Sequence, residues 1–287
     1  MKKVLGVILV VCGALLLLFW AFGPQMTNGL FFTGGEKEVS KPVDDIKKLM
    51  IEAPSANVTI VPETRSDIKA VLRNGNGHLE VKKSGQSLQI VVEKTAWISV
   101  SFFHKGPKLD IHVPKDYQED LQTDVRSGSV FFDGDTMRLH DLTIKSQSGN
   151  VEIANLKVKS VTSHVQSGNF KGDTIDADQT HIDAASGNVN LKHLSSALNI
   201  SAKSGSVKVQ MDQLTGKVGI KAWSGEVSLD LPHDADFSLD AQARSGIIKN
   251  DFELNRSKQN GASLSGTHGN GTYPITIDAR SGVVHIY

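Results

Sequence analysis

The chain has 287 residues with 31 basic and 31 acidic side chains, so no net field steers it toward nucleic acid. A single cysteine, Cys12, excludes an internal disulfide framework and a cysteine-based zinc site. Glycine is frequent and proline sparse, which suits many short strands joined by tight turns.

Lys2 and Lys3 precede VLGVILVVCGALLLLFWAF, a run from Val4 to Phe22 that carries no charge. As a helix rising ~1.5 Å per residue it spans about 28 Å, close to the hydrocarbon thickness of a bilayer. A cleaved signal peptide is the rival reading. Its apolar core runs about 7–15 residues and ends in a small-residue site. The nearest candidate, Ala21-Phe22-Gly23, is followed by Pro24, so a retained anchor is expected. Cys12 lies in mid-span and is expected to pack in lipid. The two lysines should stay cytoplasmic by the positive-inside rule. The expected layout is a cytoplasmic tip at 1–3, a single transmembrane helix at 4–22 in membrane lipid, and residues 23–287 outside the cell.

Residues 23–43 carry turn formers and charge without a period and read as a linker. Residues 44–120 read as an N-terminal β-strand region. Segments such as SDIKAVLRN, GHLEVKKSG, SLQIVVEK and KLDIHVP are short, alternating and bounded by Gly, Asn, Pro or Ser. TAWISVSFFHKGP is more apolar than a solvated hairpin. Its Trp97, Phe102 and Phe103 are expected either to be buried or to form an exposed contact patch.

From residue 121 to 287 a repeat dominates. Ser-Gly recurs at Ser127-Gly128, Ser148-Gly149, Ser167-Gly168, Ser186-Gly187, Ser204-Gly205, Ser224-Gly225, Ser245-Gly246 and Ser281-Gly282. The spacing is nearly even until the last interval, which is much longer. Asn255–Thr272, polar and Gly-rich, lengthens that interval and reads as a loop. Two, four and six positions before each Ser the side chains are mostly apolar, and the nearest is always Val, Ser or Ala. That is a strand of period two whose inner face narrows toward a corner. The third residue after each Ser, from Val130 to Val284, turns inward again. Gly makes the corner because it adopts positive φ and lets backbones approach closely. Asn150, Asn169 and Asn188 hold one equivalent position and are expected to form an amide ladder along the stack.

A repeat of roughly 20 residues is too short for a propeller blade of about 40–45. It suits one coil of a β-solenoid, stacked at ~4.8 Å. The expected fold is therefore all-β: a parallel β-helix-like solenoid with coils of about 20 residues, preceded by a short-strand β cap. Eight corners give a rod of roughly 35 Å. Residues 44–113 are expected to cap one end, and the final coil YPITIDARSGVVHIY the other.

Outward positions of the strand before each corner are polar and mixed in sign. Trp223 is the one large apolar side chain on that face and a candidate contact for a sugar. Acids cluster at Asp133 and Asp135, and at Asp173, Asp176, Asp178 and Asp183 beside His181. They fall mostly in turns, where Asp is a common turn former. His140, His164, His181 and His193 have no metal-ligand spacing, and no nucleophile elbow, Walker loop or dinucleotide fingerprint occurs. No catalytic, cofactor or metal residue is assigned from the sequence.

The recurring SGNV, SGSV and SGEV, the block ending LDIHVP and the closing ITIDARSGVVHIY resemble a bacterial family of adhesin candidates of unknown function. The resemblance covers roughly residues 44–287. It implies a β-solenoid on the outer side of the cell membrane with a link to envelope stress, and it supplies no catalytic residues. Three functions are expected to compete. The first is a binding or scaffold module for a cell-wall polymer or another envelope protein. The second is a polysaccharide-acting β-helix enzyme. The third is an accessory regulator of a membrane stress sensor working through residues 1–43.

Overall fold

The computed structural model describes residues 36–74, 77–93, 106–135 and 137–287. The anchor expected at 4–22, linker residues 23–35, and Trp97, Phe102 and Phe103 lie outside the described residues. Among the described residues no helix is long and apolar enough to cross a membrane, and every regular element is a strand. The first group is β1 (Lys37–Pro42), β2 (Lys48–Glu52), β3 (Asn57–Glu63), β4 (Asp67–Arg73), β5 (His78–Ser84), β6 (Ser87–Glu93) and β7 (Lys108–Pro114). Next come β8 (Asp120–Ser127), β9 (Val130–Asp133), β10 (Arg138–Ser148), β11 (Val151–Ser167), β12 (Phe170–Ser186), β13 (Val189–Ser204), β14 (Val207–Gln213) and β15 (Val218–Asp230). The last group is β16 (Phe237–Asn250), β17 (Asn255–Asn260), β18 (Ser263–His268) and β19 (Tyr273–Ile286).

One coil shows how sequence makes the cross-section. Along β11 the inward residues are Val151, Ile153, Leu156, Val158, Val161, Ser163 and Val165, all buried. Strict alternation fails twice, at Ala154-Asn155 and Lys159-Ser160, where two successive side chains point away from the core. Each failure turns the chain, and the Ser-Gly corner turns it a third time, giving three faces around a narrow apolar lumen. The turn at Asn155 needs left-handed backbone (φ 50°), as do the equivalent Thr174 (55°) and His193 (51°). Successive coils lie in parallel register: Val151 pairs with Phe170 and Val161 with Thr180.

Lumen residues therefore stack in columns. The column beside the Ser-Gly corner holds Val125, Ser146, Val165, Ala184, Ala202, Ala222, Ala243 and Ala279, all buried. Small side chains there let three strands converge without voids. Opposite sizes compensate elsewhere. Gly172 stands where Ile153 and Leu191 stand in the adjoining coils. A Cβ on Gly172 would lie 3.4 Å from the Phe170 ring and 2.6 Å from Leu191, so those larger side chains occupy its space.

At the N-terminal end β2 pairs in parallel with β8 on one side and β6 on the other, while β3 pairs with β9 and β7. The β2–β3 segment is thus a solenoid coil, and β6–β7 is another lying outside it. Antiparallel β5 covers β6, β4 covers β7, and β1 covers β4. The region expected to be only a cap contains two further coils. The corner of the β2–β3 coil hides the repeat: it is Pro54-Ser55-Ala56, with no Ser-Gly. Residues 37–42, expected to be linker, form β1.

At the C-terminal end the final coil is not the cap. β19 pairs in parallel with β15 and with β16, so it lies between them. The outer edge of β16 is covered by β18, and β18 by β17, both antiparallel. Asn255–Thr272, expected to be a loop, contains this β17–β18 hairpin. The hairpin buries one hydrophobic side chain, Leu264, and is otherwise polar because it is the solvent side of the stack. Ten coils at ~4.8 Å make a body of roughly 43 Å from first coil to last, longer than eight corners imply. The open edges are blunted by Lys37, Lys41 and Pro42 on β1 and by Arg256 and Lys258 on β17, which disfavours pairing with other strands.

Candidate functional site

The Ser-Gly residues singled out in the sequence form one straight edge. A Cβ built on Gly149, Gly168, Gly187, Gly205 or Gly225 would lie 1.8–2.0 Å from the carbonyl oxygen of the glycine one coil below. Gly282 stands over Gly225, and Gly246 over Gly282, in the same way. Backbone φ at the first five lies between 118° and 141°. Two separate restraints, conformation and contact, thus demand glycine. The amides of Gly128, Gly149, Gly168, Gly187 and Gly205 are used as well, each donating to the Ser carbonyl of the next coil at 3.0–3.2 Å.

Next to this edge runs the polar ladder, longer than its three asparagines. Ser129 N donates to Asn57 Oδ1 (2.8 Å), Asn150 N to Ser129 Oγ (3.3 Å), and Asn169 N to Asn150 Oδ1 (3.0 Å). Asn188 N donates to Asn169 Oδ1 (3.0 Å), and Ser206 N to Asn188 Oδ1 (2.9 Å). The rungs join side-chain oxygen to backbone amide, with one added amide–amide contact from Asn169 Nδ2 to Asn150 Oδ1 at 3.2 Å. Because these groups bond within the stack, the corner is structural.

The outward face before the corner is where side chains remain available. A shallow groove crosses it, lined by Asp124, Lys145, His164, Asp183 and Lys203 among others. Register places Asp124, Lys145, His164 and Asp183 in one column. The Asp183 carboxylate lies 3.0 Å from His164 Nδ1 and 3.2 Å from His181 Nε2, and the two rings meet edge to face at 6.2 Å. Asp124 and Asp183 stand three coils apart, about 14 Å. Paired acids for glycoside hydrolysis are about 5–9.5 Å apart, so this pair does not supply that geometry.

Of the other acids singled out in the sequence, Asp133, Asp135, Asp173 and Asp176 serve turns and cross-coil pairs. Asp133 Oδ1 accepts from Asp135 N (3.1 Å) and Asn155 Nδ2 (3.0 Å). Asp135 pairs with Lys115, Asp173 Oδ1 accepts from Thr174 Oγ1, and Lys157 lies 3.6 Å from Asp176. Among the described residues Asp120, His140 and Asp141 bring ligating atoms within 4.8 Å of one another. His140 Nδ1 already pairs with both carboxylates, at 3.0 and 3.3 Å, which accounts for the grouping. Exposed pairs of this kind stabilise by only about 0–1 kcal/mol each.

Trp223 projects from β15 with 49% of its surface exposed. Sequence order suggests a lone aromatic; the structure shows an organised one. Lys203 Nζ lies 6.0 Å from the ring centroid and the Arg280 guanidinium carbon 5.1 Å, both over the ring. Lys203 comes from the coil on one side and Arg280 from β19 on the other. Arg244 follows on β16. No spacing rule could have placed Arg280 beside Trp223, because the contact exists only through the insertion of β19.

The family model Toastrack DUF4097 matches residues 46–287. No curated protein matches the chain. Solved structures that align with it include a cell-adhesion candidate from Clostridium sporogenes, 9% identical, aligned over 88% of this chain and 99% of that one at a TM-score of 0.35. An adhesin candidate from Parabacteroides distasonis is 12% identical over 88% of this chain and 97% of that one, at a TM-score of 0.42. A protein from the same organism described as a candidate lipid binder is 12% identical over 88% and 98%, at 0.41.

Proposed function

The chain belongs to the Toastrack DUF4097 family, and on that premise we propose that it is a binding or scaffold module of adhesin type, held on the outer side of a bacterial cell membrane by residues 4–22. The observation that carries this reading is the register. On the face before the Ser-Gly corner, outward side chains of successive coils stand in continuous columns about 4.8 Å apart, and a linear array of that kind suits an extended partner such as a wall polymer. The combination of apolar anchor and solenoid resembles LiaG, the membrane-anchored protein encoded with the Lia cell-envelope stress response, which supports a link to envelope stress.

Capture of purified cell-wall fragments by the full-length protein tests the module reading; no capture above that of an unrelated membrane protein would overturn it. Protease added to intact wall-stripped cells tests the orientation. Digestion beyond residue 43 is expected, and full protection would reverse it.

A further inference from the structure

We infer that the row Lys203–Trp223–Arg280–Arg244 is a binding strip for an extended anionic polymer, one bearing phosphate or carboxylate groups. This rests on the module reading above and names the class of its ligand.

The row occupies four successive coils at the same position, one residue before the Ser of each corner. It contains three cations and no acid, on a chain whose basic and acidic residues are equal in number. At ~4.8 Å per coil it runs about 14 Å along the solenoid axis. Lys221 stands beside it in the neighbouring column. The facing acids lie off the row. Asp278 is 3.8 Å from Arg244, Asp240 is in the column beyond, and Glu226 lies past the corner, where Lys249 lines the same shallow groove.

Trp223 has a definite part in this. A bare exposed indole offers its face to a sugar ring, but this ring already holds Lys203 and Arg280 over it. It keeps both cations along the row instead of letting them fold back onto acids of the next column. The Arg280 guanidinium held in this way presents paired donors to an oxyanion. A linear arrangement with coil spacing favours successive charges on one chain over a single small anion.

The full-length protein in detergent is titrated with linear polyphosphate, with polygalacturonate, and with dextran as the uncharged chain. Binding to a polyanion but not to dextran is expected, with affinity that falls as salt rises because neutralised charges release counterions. Lys203→Gln combined with Arg280→Gln should lower affinity about tenfold or more and flatten the log–log salt slope by about 2. Lys159→Gln, on another corner, should leave affinity nearly unchanged. Trp223→Ala keeps every charge, so a weaker affinity with the same slope is expected. Preference between the two polyanions assigns phosphate or carboxylate.

The inference is overturned if the double variant binds like the parent, if dextran binds equally well, or if neither polyanion binds. Wall-fragment capture that persists in the double variant would sink the strip and leave the module standing. No capture by the parent would sink both.

Discussion

Through β10 to β13 each coil rests on the one written just before it, so chain order and stacking order coincide. At the ends they part. The β2–β3 coil lies inside β6–β7, and β19 lies inside β16. The middle is held by near neighbours that resemble one another, which is the one-dimensional behaviour of stacked repeats. The ends are held by long-range pairings and by antiparallel strands that do not belong to the repeat. Sameness propagates the body, and departure from sameness stops it.

The sharpest way to break this comparison is to remove one coil of each kind. Deleting residues 168–186 joins Ser167 to Gly187 in register and should leave a shorter, cooperatively folded body. Deleting 273–287 opens a slot between β15 and β16, and the whole segment from residue 237 onward should lose protection in hydrogen exchange. Equal behaviour of the two deletions would erase the distinction.

A single corner side chain comes next. Gly187→Val puts a branched Cβ 1.8 Å from Gly168 O at φ 124°, in a coil clamped on both sides. A loss of about 3–5 kcal/mol in urea unfolding is expected. Gly246→Ala meets Gly282 O at 1.9 Å, yet β16 lies outside every other coil and can lift, so about half that loss is expected.

The ladder gives a smaller effect. Asn169→Ala removes the acceptor for Asn188 N and the donor to Asn150, costing about 1–2 kcal/mol. Glu226→Ala, at the equivalent position beyond the ladder, should change stability by less than about 0.5 kcal/mol.

The smallest effect is a pH dependence at the C-terminal end. Asp236 accepts from the Thr272 hydroxyl (2.7 Å) and from the Thr272 and Gly271 amides (3.1 and 2.6 Å). These bonds, the Thr272 hydroxyl first, hold its carboxyl down from 3.8 to about 2. A depressed acid stabilises the folded state above its unfolded pKa and loses that contribution as pH falls through the folded one. The melting temperature of the parent should therefore exceed that of Asp236→Asn above pH ~4, and the gap should close toward pH ~2. A gap that stays constant would show that the clamp on residues 271–272 does not depend on charge.

What the sequence made legible was whatever repeats locally. Ser-Gly spacing, inward alternation and the row Asn150, Asn169, Asn188 each depend on residues one coil apart, and all are visible in a single reading. The β2–β3 coil was not legible, because Pro54-Ser55-Ala56 turns the corner without a glycine. Nor was the position of β19. Its inward Ile275 and Ile277 match Leu239 and Ala241 of β16 in character, so apolar pattern cannot decide which lies against β15. The candidate site shares that limit. Trp223 was visible as an exposed aromatic, and the cation from β19 that completes its surroundings was not.

The place of β19 also sets an order of assembly. During synthesis from the N-terminus, coils up to Asp230 can settle in turn on those already made. The next strand off the ribosome, β16, has no completed surface to join, since its parallel partner begins only at Tyr273. The edge of β15 must wait, unpaired, until residues 273–286 arrive to be received between two strands older than themselves. This solenoid therefore does not finish by adding a last layer on top; it finishes by filling a gap.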